Sequence, residues 1–168
     1  MNVPGLYEIY ASAIAELPHG EYLQIKARKT IEGLPLDGQA SYDQLFQEYL
    51  EKSHYKTGSL FTNLLLGTAL ICQGKYCQKT FELITNLGVN LGLSFQIADD
   101  LKDIRPDKQE LVKDALNDLR ERNTTAPYLL TLSQLTHLKS PKVKDVMQIL
   151  QKKDKESGDI ELVFKELK

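Results

Sequence analysis

The sequence predicts an all-α protein, a helical bundle with short connections. Three observations carry that prediction. Apolar residues recur every three or four positions through most of the chain. No segment alternates apolar and polar residues as a half-buried strand does. The clusters rich in Gly, Pro and small polar residues are short and stand between helical patterns. At 168 residues the chain is long enough for one domain, 1–168, with a real core, and 42% hydrophobic with 26% charged residues is ordinary for a globular protein.

The elements come in order. Leu6 to about Glu16 is apolar at helical spacing; Pro18 breaks or kinks the pattern, and "HGEYLQIKARK" resumes it to about Thr30. Glu32 to Ser41 is a Gly- and Pro-containing connector. Ser41, with Gln44 three residues on, forms a capping box for a long helix running to about Cys72. "QGKY" is a turn, and a second long helix spans about Gln78 to Ile104, with Pro106 helping to end it. "RPDKQELVKDALNDLRERN" is polar and reads as a loop with a short helix. "TTAPYLLTLSQLTHLK" is a helix with Pro127 near its first turn. "SPKVKDVMQILQKK" begins another, with Ser140 as N-cap and Pro141 at N1. After "ESGD", "IELVFKELK" is a final helical piece.

Composition excludes several classes. A net charge of −2 gives no global basic field to recruit nucleic acid. Cys72 and Cys77 lack both the density of a disulfide scaffold and zinc-type partners, so they read as free thiols in a reducing compartment. No apolar run reaches the roughly 18 residues of a membrane span. "MNVPGLYEIY" is neither a signal peptide nor an Arg-rich transit peptide. The expectation is a cytosolic (cytoplasmic) protein, or a mitochondrial one whose targeting segment lies outside this chain.

Chemistry concentrates on two helices. On the second long one, Gly88, Gly92, Gln96, Asp99 or Asp100, and Asp103 succeed one another at three- or four-residue steps, which places them on one stripe. Each glycine costs about 1 kcal/mol against Ala in a helix interior, so two on one stripe point to close approach of a helix or a ligand. The simpler alternative is that the glycines ease packing and the acids are a solvated helix end. An EF-hand is excluded, because Ile104 stands where the calcium loop needs Gly. Hard oxygen donors on one face suit Mg²⁺ used with a phosphorylated substrate, which fills the remaining coordination positions together with water. On the first long helix, Lys56 beside Thr57 offers a point charge and a hydroxyl suited to diphosphate oxygens, or simply a solvated lysine. Lys52, Lys56 and Ser59 or Ser53 share a face there. Lys113 is a second candidate cation, and Arg105, Arg120 and Arg122 could meet phosphate or water. Asp114 and Asp118, four apart, could share a face. His54 has no His or Cys at a ligand spacing and reads as a surface residue.

Together these segments resemble the trans-isoprenyl diphosphate (polyprenyl) synthase family. "HGEYLQ", His19 to Gln24, is similar to its GE-x-x-Q segment. "EYLEKSHYKTGSLF" is similar to its KTA-x-L-F helix, with Gly58 in place of Ala. "LGLSFQIADDLKD" resembles its second aspartate-rich motif, and Lys113 stands where the family carries a lysine. "NTTAPYLL" resembles its A-T-x-P segment, with Arg122 in place of Gly. The resemblance implies an isoprenoid-synthase bundle and Mg²⁺-dependent head-to-tail condensation of an allylic diphosphate with isopentenyl diphosphate. It assigns Asp99, Asp100 and Asp103 to Mg²⁺, directly or through water. It assigns Lys56 and Lys113 to the allylic diphosphate, and Thr57 and Gln96 to the reacting centre. It also implies a homodimer, or a heterodimer with a synthase subunit.

The family's first aspartate-rich motif has no counterpart upstream of His19 in this chain. The sequence therefore reads as the middle and later part of such a synthase, a partial fold without the N-terminal helices and weak or inactive alone. The alternative is a non-catalytic or regulatory subunit that pairs with a full-length synthase. Either way, an apolar groove is expected where the first helices would lie.

Overall fold

The computed structural model describes residues 3–34, 42–75, 77–104 and 117–166. They form α1 (Leu6–Gly33), α2 (Tyr42–Ser53), a π-helical turn (His54–Gly58), α3 (Ser59–Gln73), α4 (Gln78–Asp103), α5 (Asn117–Arg120), α6 (Ala126–His137), α7 (Lys142–Gln151) and α8 (Ser157–Glu166). There is no strand among the described residues, and no helix among them is long and apolar enough to cross a membrane. The all-α prediction holds.

Local chemistry explains where the elements depart from expectation. Pro18 lies inside α1 and does not end it. An interior proline costs about 3 kcal/mol, and α1 nonetheless continues past it to Gly33. The long helix expected to about Cys72 is interrupted by the π turn, which inserts one residue into the helical repeat. Its expected N-cap, Ser41, lies outside the described residues. Gly74 ends α3 at φ +71°, donating its N–H to Leu70 O at 2.8 Å, the left-handed cap that glycine adopts most cheaply. At α7 the start shifts by one residue: Ser140 Oγ accepts the Lys142 N–H at 3.3 Å, and Pro141 precedes the helix. Helix α8 begins at Ser157, ahead of the expected Ile160, because Asp159 Oδ2 accepts the Glu156 N–H at 2.7 Å, the returning half of a capping box.

The chain divides into two compact units. Met1–Leu23 with Leu50–Gln96 forms the first. Its interior is built on small residues. A Cβ on Gly88 would lie 2.4 Å from Thr62 Cα, and one on Gly92 would lie 2.4 Å from Gly58 Cα. A Cβ on Gly20 would stand 2.7 Å from the Lys56 amide nitrogen. The glycine stripe of α4 is thus answered by another helical segment, backbone against backbone. Large apolar side chains of this unit face outward: Leu83, Leu87 and Leu91 of α4 are 61%, 59% and 46% exposed, and Leu64 of α3 is 57% exposed.

Gln24–Tyr49 with Ile97–Lys168 forms the second unit. Its core is of the ordinary large-side-chain kind: Leu119, Leu129, Leu132, Val146, Met147 and Val163 are all buried. Tyr49 and Tyr128 join them.

Candidate functional site

In the first unit the close crossing at Gly58 and Gly92 brings the π turn against α4. One residue along, Thr57 Oγ1 donates to Gln96 Oε1 at 2.8 Å. That bond directs the Gln96 carbonyl at Thr57. Lys56 is partly exposed and sits 3.3 Å from the Glu21 carboxylate. The basic residue of one sequence segment is therefore paired with the acid of the GE-x-x-Q-like segment. His19 packs edge-on against Tyr55, with ring centroids 4.5 Å apart. His54 is half-buried: its Nδ1 is buried, and a Cβ on Gly58 would lie 3.1 Å from it.

In the second unit the three acids at the end of α4 have different surroundings. Asp99 is exposed. Asp100 is only 3% exposed, and its Oδ2 accepts the Tyr49 hydroxyl at 2.7 Å and the Ala126 N–H at 3.3 Å. Asp103 is partly buried; its two oxygens accept the Asn117 N–H at 3.0 Å and the Asp118 N–H at 3.3 Å. Burial pushes the Asp103 carboxyl above the ordinary carboxylate range, and Asp118 and Asp100 add to the rise against the two amides that lower it. Burial and the same carboxylates push the Tyr128 phenol well above its usual range.

A second layer surrounds the acids. Asn123 Nδ2 donates to Asp118 Oδ1 at 2.7 Å. Its Oδ1 accepts from Gln24 Nε2 at 3.1 Å and from Arg28 Nε and Nη2 at 3.1 and 2.6 Å. Sequence reasoning singles out neither Asn123, Tyr49 nor Arg28 for this role, since these contacts join residues far apart in the chain. Arg122 adopts φ +60°, a conformation that glycine takes more easily, and pairs with Glu32. Arg120 is exposed. Lys113, Asp114 and Arg105 lie outside the described residues.

The donor set fits a hard divalent cation. Asp99 and Asp103, one helical turn apart, carry carboxylate oxygens, those of Asp103 each accepting one backbone N–H and keeping a further lone pair, and neither makes an ion pair with Lys or Arg among the described residues. Burial first, and then the neighbouring acids Asp118 and Asp100, disfavour ionisation of Asp103, and a bound cation would oppose both. Among the described residues no group of three His, Cys, Asp or Glu side chains is gathered to hold a metal unaided. A cation there would complete its coordination with substrate oxygens and water, as Mg²⁺ commonly does.

Comparison with known proteins identifies the family. Residues 1–167 match the model of the polyprenyl synthetase family. A decaprenyl-diphosphate synthase of Dictyostelium discoideum is 32% identical over 94% of this chain and 30% of its own length. A prenyl transferase of Cyanophora paradoxa is 39% identical over 60% of this chain and 30% of its own. A probable mitochondrial hexaprenyl pyrophosphate synthase of Neurospora crassa is 33% identical over 78% of this chain and 28% of its own. The chain thus spans under a third of the length of these relatives. No solved structure gives a significant match. With nearly its whole length matched and its all-α architecture in accord, the chain belongs to the polyprenyl synthetase family.

Proposed function

We propose that this chain carries the diphosphate-binding part of a polyprenyl diphosphate synthase. The reaction is the head-to-tail condensation of an allylic diphosphate with isopentenyl diphosphate. The observation that supports this most is the acid end of α4, where exposed Asp99 and partly buried Asp103 stand one turn apart beside Asp118 and Asp100.

Asp99 and Asp103 would hold Mg²⁺, directly or through water; Asp100 belongs to the same motif but is buried against Tyr49. Mg²⁺, when bound, neutralises charge on the diphosphate leaving group. Lys56 and, by the family pattern, Lys113 would contact the allylic diphosphate as point charges. By the family pattern Thr57 and Gln96 would line the reacting centre, and the Thr57 hydroxyl bond to Gln96 Oε1 would keep that carbonyl in one orientation. With no D-D-x-x-D upstream of His19, elongation from farnesyl diphosphate by this chain alone is expected to be slight, because residues that act as a unit fail together. A homodimer or a heterodimer with a synthase subunit is the expected assembly.

Calorimetric titration of the chain with Mg²⁺ and inorganic pyrophosphate tests the reading. Saturable binding is expected, weakened at least about tenfold by Asp99→Ala or Asp103→Ala. Binding that both variants leave unchanged would remove the site.

A further inference from the structure

Asp100 is set apart from Asp99 and Asp103 by its burial and by taking two donors on a single oxygen, whereas Asp103 accepts one backbone N–H on each of its two oxygens. Two donors from two different elements meet one oxygen, Oδ2: the Tyr49 hydroxyl at 2.7 Å and the Ala126 N–H at 3.3 Å. Tyr49 is itself buried, at 2% exposure, as is Asp100 at 3%. Ala126 opens α6, and the N-cap residue Thr125 makes no side-chain cap bond. Asp100 therefore supplies an acceptor at a helix start that its own N-cap side chain does not serve.

Such a carboxylate is poorly placed to coordinate an ion and well placed to orient its helix. Its neighbours in sequence, Asp99 and Asp103, are the exposed and partly exposed acids of the same helix end. We propose that Asp100 is a positioning residue, anchored by Tyr49 and α6, that fixes the rotation of the α4 acid end so that Asp99 and Asp103 face the ligand. This rests on reading that helix end as the Mg²⁺–diphosphate site.

The bonding pattern supplies a discriminating test. Both donors converge on one oxygen, and an amide oxygen accepts them as a carboxylate oxygen does. A ligand to the metal needs its charge; an anchor needs only its acceptor. The probe is Mg²⁺ with inorganic pyrophosphate, measured by calorimetry, with melting followed by circular dichroism. Asp100→Asn should weaken binding by no more than about threefold, whereas Asp100→Ala and Tyr49→Phe should weaken it about tenfold or more. Asp99→Asn should lose about tenfold or more with its melting curve unmoved. If Asp100→Asn is as weak as Asp100→Ala, the charge itself is required; the positioning role is then overturned and the site reading stands. If the parent chain shows no binding, or Asp99→Asn binds as the parent does, the site reading falls and the inference with it. Should Asp100→Ala or Tyr49→Phe fail to fold, the Asp100→Asn arm decides alone.

Discussion

Replacing Gly92 by alanine places a methyl group 2.4 Å from Gly58 Cα and 3.0 Å from the Gly58 nitrogen. Carbon atoms in contact rest about 3.5–4.0 Å apart, so the two segments must separate by about 1 Å or more. Both sides of the clash are backbone, and no rotamer change absorbs it. Overpacking of this kind reaches about 3 kcal/mol, against a gain of about 1 kcal/mol from alanine's better helix propensity. The net expectation is a loss of about 2 kcal/mol, a fall of about 4–8 °C in melting temperature for a chain of this size. Gly158→Ala is the control: nothing lies within 4 Å of a Cβ there, so it should be neutral or gain up to about 1 kcal/mol. Urea unfolding followed by far-UV circular dichroism measures both. The separation should also stretch the Thr57–Gln96 bond beyond its 2.8 Å, since Thr57 adjoins Gly58 and Gln96 lies one turn past Gly92. If Gly92→Ala is as stable as Gly158→Ala, the close crossing does not exist in solution and the glycine stripe does not pack backbone against backbone.

Three further outcomes are expected in the second unit. Asn123→Ala should cost about 1–3 kcal/mol in urea unfolding, because Arg28, Gln24 and Asp118 each lose a hydrogen-bond partner; an unchanged midpoint would show that water replaces Asn123 freely. Leu132→Ala, at a position with 0% exposure, should cost about 2–5 kcal/mol, and a loss under 1 kcal/mol would argue against a tightly packed core on α6. The Lys155 ammonium is held down to about 8, first by burial and then by Arg122. A lysine with a lowered folded pKa binds fewer protons folded than unfolded, so its contribution to stability rises from pH 8 toward the unfolded value of 10.5. Reductive methylation across that range should modify Lys155 at lower pH than the exposed lysines; simultaneous modification of all would contradict its burial.

Some parts of this structure are legible in the sequence and others are hidden for physical reasons. Helix α4 is legible because its periodicity runs unbroken and two glycines on one stripe cost too much to be incidental. That the glycines meet another helical segment and not a ligand is settled only by the placement of Gly58 and Thr62 against them. The three acids of α4 look alike in sequence. Only packing separates them, since the burial of Asp100 depends on Tyr49, 51 positions earlier. The π turn leaves no trace, because inserting one residue into an apolar pattern already rich in Leu and Phe does not disturb its count. Pro18 misleads in the other direction: a local rule marks a break where the helix continues.

The most direct test is a crystal of this chain soaked with manganese chloride and inorganic pyrophosphate, with anomalous data collected at the manganese edge. The expected result is a peak between the pyrophosphate and the carboxylates of Asp99 and Asp103, with Asp100 still bonded to Tyr49. A peak elsewhere, with Asp99 and Asp103 contacting only water, would contradict the assignment of the α4 acid end as the diphosphate site.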